Sequence, residues 1–241
     1  MTLAERIRRR VAALDWPAFE AGLDGDGYAR IPGLLTAAEC RSLAALYSTE
    51  TRFRTTISLE RHGFGQGEYK YFSYPLPPLV AVLRESLYPQ LAVIANRWLA
   101  LRRAPSPRPF SRSLRGFLGR CRAEGQTRPT PLLLRYTAGG YNRLHQDLYG
   151  AVAFPLQVAC LLSRPVDDFT GGEFLLVEQR ARMQSRGEAV ALRAGEAIVF
   201  PTRERPVASA RGVSTAHMRH GVSRVHTGER TTLGLIFHDA R

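Results

Sequence analysis

The sequence predicts an α+β protein, with N-terminal supporting helices packed on a double-stranded β-helix (jelly-roll) core. Two observations carry this. Early in the chain apolar residues recur at steps of three and four, as in Leu3, Ile7, Val11 and Leu14, the period of an amphipathic helix. After Pro131 short apolar runs are divided by Gly, Pro, Asp and Arg turns, the rhythm of two packed antiparallel sheets. A helical lead-in over residues 1–130 and a jelly roll over 131–241 are expected, as one structural domain.

Residues 2 to 22 read as one helix with an Arg-rich outer face, broken at Asp24 to Gly27. The run from Ala29 to Leu35 reads as a short strand entering a turn. Residues 36 to 47 are the best-marked helix: Thr36 caps it, Glu39 completes a capping box and Leu35 can staple against Cys40. Pro78 suits the first turn of a helix through Leu83 and Leu87 that Pro89 interrupts, and a further helix spans residues 90 to about 102. The Arg-rich stretch over 102–122 reads as a surface loop with a short helix near Leu114 to Leu118, or as a strip along a phosphate backbone contacted by Arg112, Arg115 and Arg120. Strands are expected over 132–137, 143–148, 156–162, 173–177, 189–192, 197–201, 217–225 and 231–238.

The 34 basic and 21 acidic residues give a net charge of +13, and every basic residue except Lys70 is Arg. Such a surplus attracts phosphate backbones and other anions. An excess of Arg over Lys also arises from a GC-rich coding sequence. Cys40, Cys121 and Cys160 are too scattered for a zinc site and suit reduced thiols. With no signal-peptide core and no run of membrane-spanning length, a soluble cytoplasmic protein without a membrane partner is expected.

The chemistry centres on Tyr136 to Gly150. On a strand, His145 and Asp147 share a face while Leu144, Gln146 and Leu148 take the other. Alone, a His-x-Asp pair reads as a solvated or structural pair. With His220 downstream, two imidazoles and one carboxylate make the facial triad of non-haem Fe(II).

Tyr136, Gly140, Tyr141, His145, Asp147, Phe169-Thr-Gly-Gly-Glu173, Gly195 with Phe200, and His220-Gly-Val with Gly228 and Arg230 resemble the Fe(II)/2-oxoglutarate oxygenase superfamily, in its prolyl-hydroxylase-like branch. Gly67-Glu-Tyr-Lys-Tyr-Phe72, Pro129 to Tyr136, Leu144-His-Gln-Asp-Leu-Tyr-Gly150 and Phe237-His-Asp-Ala240 look like a bacterial family expected to remove methyl groups oxidatively from damaged DNA bases. The resemblance implies that His145, Asp147 and His220 hold Fe(II) and that Arg230 grips the distal carboxylate of 2-oxoglutarate through paired hydrogen bonds. Tyr136 is a second co-substrate contact or a core tyrosine, and Thr232, two residues beyond Arg230, is a third candidate. Fe(II), 2-oxoglutarate and O2 are the implied cofactors, with ascorbate as a supporting reductant.

The implied reaction is decarboxylation of 2-oxoglutarate to succinate coupled to hydroxylation of a C–H bond. On an alkylated base in DNA or RNA, that releases formaldehyde. Tyr141, Tyr149 and Phe154 are available to stack on a base. One departure stands out: alkylation-repair dioxygenases carry a second arginine six residues past the first, where this chain has Ile236. Hydroxylation of a prolyl-type protein side chain or a small molecule is the alternative, and a non-catalytic nucleic-acid-binding jelly roll is a third reading. His62, His217, His226 and His238 are expected outside the metal site, and Gly171-Gly172 is expected only to turn the chain.

Overall fold

The computed structural model describes all residues except 102–107 and 210–211. Its N-terminal segment is two helices where one is expected, α1 (Leu3–Ala12) and α2 (Trp16–Gly25). Asp15 accepts a hydrogen bond from the Ala18 N–H at 3.1 Å, and Pro17 follows it. That start signal ends the apolar repeat early. The short strand β1 (Ala29–Ile31) and the helix α3 (Ala37–Ala45) follow, the helix opening on the Thr36–Glu39 capping box that the sequence predicts.

Residues 53–72, given no element by the sequence reading, form β2 (Phe53–Ser58), β3 (Gly65–Gln66) and β4 (Glu68–Phe72). The helix α4 (Pro78–Leu101) runs straight through Pro89, where an interruption is expected. An interior proline costs about 3 kcal/mol. Burial of Leu83, Leu87 and Tyr88 on one side of it and Leu91, Ile94 and Trp98 on the other outweighs that cost. The Arg-rich stretch carries α5 (Leu114–Ala123), capped by Ser113. Arg102 and Arg103 lie outside the described residues.

The remaining strands are β5 (Leu132–Thr137), β6 (Tyr141–His145), β7 (Leu156–Leu161), β8 (Phe169–Gly171), β9 (Phe174–Arg180), β10 (Arg186–Val190), β11 (Ala197–Pro201), β12 (Glu204–Ser209), β13 (Gly212–Val222) and β14 (Val225–Leu235). Two of them, β8 and β12, were not expected. β12 contains Pro206 and, among the described residues, pairs only with β13, an edge position that tolerates the missing N–H.

The larger sheet runs β1-β11-β7-β14-β5-β4-β2, with β8 also paired to β14; the smaller runs β10-β9-β13-β6-β3, with β12 paired to β13. Strands from residues 29–72 therefore extend both sheets. Alternation along β14 decides what meets what. Leu233 and Leu235 pack with α4 residues such as Leu83 and Tyr88, and β7 contributes Val158 and Cys160 to the same layer. On the opposite face Arg230, Thr232, Gly234 and Ile236 look into the space between the sheets. That inter-sheet core is closed by Phe169, Phe174, Ile198, Phe200 and Met218.

Two buried ion pairs fasten the layers. Arg84 on α4 binds Asp239 at 2.9 Å and donates to the carbonyls of Ile236 and Phe237. Arg205 on β12 pairs with Glu178 at 2.5 Å and donates to the α2 carbonyls of Leu23, Asp24 and Gly25. Removing one member leaves the other charge buried alone, so Arg84→Met is expected to lower the unfolding free energy by about 3–5 kcal/mol in denaturant titrations. Arg97→Met, whose ion pairs with Glu20 and Asp24 are half-exposed, is expected to cost far less. Equal losses would contradict this reading.

Candidate metal centre and the cavity beneath it

His145 ends β6 and stands directly opposite His220 on β13, so both side chains leave the same face of the smaller sheet. Their ring centroids are 4.2 Å apart. The strand expected over 143–148 stops at His145, and Asp147 lies beyond it. Gln146 ties the departing chain to β13 by donating to the Met218 carbonyl at 2.8 Å. That tether returns Asp147 to the two imidazoles: its Oδ2 is 3.1 Å from His220 Nε2 and its Oδ1 is 3.6 Å from His145 Nε2. The ligand atoms of the three lie within 4.8 Å of one another. His217 and His226 are exposed and His238 is buried elsewhere; among the described residues none joins the cluster.

The donor set fits a divalent transition metal. His145 Nδ1 lies 2.7 Å from the Arg143 carbonyl, which fixes the proton on Nδ1 and leaves the Nε2 lone pair toward the cluster. Burial, with His145 alongside, holds the His220 imidazole below its ordinary pKa. Burial works against charge on Asp147 too. The adjacent imidazoles and the Tyr149 hydroxyl outweigh it, so its carboxyl stays well below the usual carboxylate range. Tyr149, a candidate for base stacking that lines the cavity, donates its hydroxyl to Asp147 Oδ1 at 2.6 Å. Burial raises the pKa of its hydroxyl and keeps it a donor.

Beneath the cluster is a cavity of about 410 Å³ whose wall includes Tyr69, Tyr136, Gln157, Arg230 and Thr232. Arg230, opposite Tyr136 in the β14–β5 pairing, is 2% exposed. One guanidinium nitrogen donates to Thr232 Oγ1 at 2.6 Å, and the buried Nε has no partner among the described residues. No carboxylate lies within ion-pair distance among the described residues. Burial lowers its pKa to about 10, so it stays charged at neutral pH. Tyr136 is fully buried, its hydroxyl accepting from Asn142 at 3.3 Å and its pKa pushed up by burial to about 12.

Gly172 has a role beyond the expected turn. At φ +66° it packs on Arg230, and a Cβ there would stand 2.8 Å from Arg230 Cδ. Sequence reasoning also missed Gln157, whose buried amide nitrogen has no partner among the described residues, and Phe64, 49% exposed at the cavity lip. A signal for Phe64 exists: an aromatic between two glycines, Gly63 and Gly65, suits no core. Phe154 is corrected in the other direction. It is fully buried between Tyr88 and Phe237, with centroids at 5.0 and 5.4 Å, and cannot stack on a base. Tyr141 lies outside the cavity with Arg224 over its ring. Arg112 and Arg115 are exposed near the start of α5, while Arg120 donates to the carbonyls of Arg108 and Pro109.

Asp147→Ala is expected to abolish Mn(II) binding in anaerobic titrations, and His220→Ala, which keeps one imidazole and the carboxylate, to weaken it sharply. Tyr149→Phe, which loses only the hydrogen bond to the carboxylate, is expected to weaken binding roughly 10–100-fold. Unchanged affinity in Asp147→Ala would remove the metal from this site.

A family model described as an oxygenase catalysing oxidative methylation of damaged DNA matches residues 67–240. Two uncharacterized proteins of Mycobacterium tuberculosis are 52% identical over 169 residues, covering 70% of this chain and 72% of theirs. Among solved structures, a Pseudomonas putida prolyl-4-hydroxylase aligns with a TM-score of 0.54 at 17% identity, over 94% of this chain and 99% of that one. A Burkholderia pseudomallei oxidoreductase of the 2-oxoglutarate-Fe(II) oxygenase family aligns with a TM-score of 0.54 at 16% identity, over 95% and 93% of the two chains. At these identities the likeness is one of fold. The chain belongs to the oxygenase family whose model spans residues 67–240, on the jelly-roll fold shared with 2-oxoglutarate- and Fe(II)-dependent oxygenases.

Proposed function

We propose that the protein is a 2-oxoglutarate- and Fe(II)-dependent dioxygenase that hydroxylates the methyl group of an N-methylated nucleic-acid base. The observation that carries the chemistry is Arg230, a buried cation without an acid partner among the described residues, in the same cavity as two imidazoles and a carboxylate. A small dicarboxylate supplies what both ends lack.

Fe(II) held by His145, Asp147 and His220 would supply oxygen activation coupled to decarboxylation of 2-oxoglutarate. The protein's own part is placement. Arg143 orients the His145 ring through its carbonyl, and Tyr149 fixes the Asp147 carboxylate. Arg230 takes the distal carboxylate of the co-substrate, its guanidinium already set by Thr232 on one side and Gly172 on the other. Leu134 and Ile236, also in the wall, limit water. Over the whole reaction one atom of O2 enters succinate and the other the substrate hydroxyl. A hydroxymethyl group on nitrogen then departs as formaldehyde, and the nitrogen keeps a proton. An oxygenase without a methyl donor acts on a methyl group already present, so removal is the direction this chemistry supports.

A nucleic-acid substrate is supported by the family's description and by the net charge of +13. A peptide or small-molecule substrate is the second reading. It is favoured by Ile236 in the cavity wall, where the alkylation-repair enzymes have their second arginine, and by the prolyl-4-hydroxylase among the fold relatives. A non-catalytic binding module would have no use for the triad or for an unpaired Arg230.

With Fe(II) and 2-oxoglutarate, succinate and formaldehyde are expected in equal amounts from N-methylated oligonucleotides. Succinate formed only with prolyl peptides, together with a mass gain of one oxygen, would reverse the choice. Arg230→Met, which loses a charge-assisted pair of about 1.5–3 kcal/mol, is expected to raise the 2-oxoglutarate requirement roughly 10–100-fold. Gly172→Ala is expected to raise it less, and metal affinity should hold in both. An unchanged requirement in Arg230→Met would relocate the co-substrate.

A further inference from the structure

We propose that two surface grooves meeting at Arg203 form the track on which a single nucleic-acid strand lies while one of its bases enters the central cavity. The inference rests on the nucleic-acid reading above and adds where the strand runs.

The first groove, about 340 Å³, lies between α4, α5 and the start of β12 and is walled by Arg108, Phe110, Arg120, Leu148 and Arg203. The second, about 330 Å³, lies over the outer face of β9 and β13 and is walled by Gln146, Gln179, His217, Arg219 and Arg203. Arg203 belongs to both. Each groove abuts the metal centre through a residue next to a ligand. Gln146, between His145 and Asp147, walls both the second groove and the cavity, and its amide lies 3.4 Å from the Arg203 carbonyl. Leu148, next after Asp147, walls the first groove and is 42% exposed. A polymer lying along the two grooves therefore passes the mouth of the cavity.

The chemistry of the walls selects the polymer. Glu204 is the one acid among the described residues of either lining. It pairs with Arg203 at 3.2 Å and lies 3.5 Å from His217 Nδ1, yet the Arg203 side chain remains 55% exposed. Arg219 is exposed and makes no ion pair among the described residues. Guanidinium groups beside apolar side chains, here Phe110 and Leu148, suit phosphates alternating with flat bases. Phe64, exposed in the cavity wall with the His62 ring against it at 5.3 Å, offers a face for a neighbouring base. A base within a duplex would first have to leave its stack, so a single strand is the form that fits. Of the arginines expected from sequence to meet phosphate, Arg120 walls a groove and Arg112 and Arg115 wall neither.

The test is fluorescence anisotropy of a labelled single-stranded N-methylated oligonucleotide over a salt series, using the full chain loaded with Mn(II). Each phosphate contact contributes about 0.7 to the slope of log K against log salt for a single strand. Arg219→Gln is expected to make the slope shallower by about 0.7, and Arg203→Gln with Arg219→Gln by about 1.4. Arg112→Gln with Arg115→Gln should leave it unchanged. Since Arg219 is exposed and makes no ion pair among the described residues, its variant keeps the test intact if Arg203→Gln disturbs the fold. An unchanged slope in Arg219→Gln, a slope change carried by the Arg112 and Arg115 pair instead, or displacement by poly-glutamate as readily as by unlabelled oligonucleotide would overturn the track. If such a slope comes with formaldehyde release from the same oligonucleotide, the function stands and only the track falls. If the wild type binds no oligonucleotide, both fall.

Discussion

The register of β6 against β13 is the constraint on which the site depends. His145 and His220 meet because they are paired residues of adjacent strands, and a slip of one position would turn one of them away from the cavity. Several contacts guard that register. A Cβ on Gly221 would come within 2.6 Å of the Asn142 carbonyl, so glycine there lets β6 lie close against β13. A bulge between His220 and Val222 follows at once. Phe174 lies nearly parallel to the His220 ring, at 15°, and Phe200 packs on it at 4.7 Å. Gln146 then brings Asp147 back to the pair.

Three buried arginines among the described residues divide by what they face. Arg84 and Arg205 are as deeply buried as Arg230, and each meets a carboxylate, Asp239 and Glu178, plus backbone carbonyls. These hold elements together: α4 to the C-terminal segment and β12 to α2. Arg230 has a threonine hydroxyl and the nearby rings of Tyr136 and Phe169 in place of an acid. Removing a charge from water without a partner costs several kcal/mol. That cost, borne in the cavity that also holds His145, Asp147 and His220, is what supports the proposal of an anionic co-substrate at Arg230.

Much of this was legible in the sequence because it depends on local spacing. The Thr36–Glu39 cap, the strands β5 and β11, and the grouping of His145, Asp147 and His220 all appear where their residues predict. What was not legible depends on neighbours distant in the chain. Pro89 stays helical because both of its flanks are buried in a core shared with the other helices and the larger sheet, and β2 to β4 are strands because edges of the two sheets receive them. Tyr149 could not be told from a stacking residue, since its hydrogen bond forms only once Asp147 leaves the strand. Gly172 looked like a turn for the same reason: Arg230, which it cradles, lies 58 positions away.

The proposed track extends this logic from the site to its surroundings, since Gln146 and Leu148, the neighbours of Asp147, each wall one of the two grooves. The most direct test of the central arrangement is iron-edge X-ray absorption on the anaerobic Fe(II)-loaded protein, before and after 2-oxoglutarate. The expected result is scattering from two imidazoles with oxygen in the remaining positions, a change in the oxygen shell on adding co-substrate, and loss of one imidazole in His220→Ala. A spectrum without imidazole scattering, or one identical in wild type and His220→Ala, would contradict it.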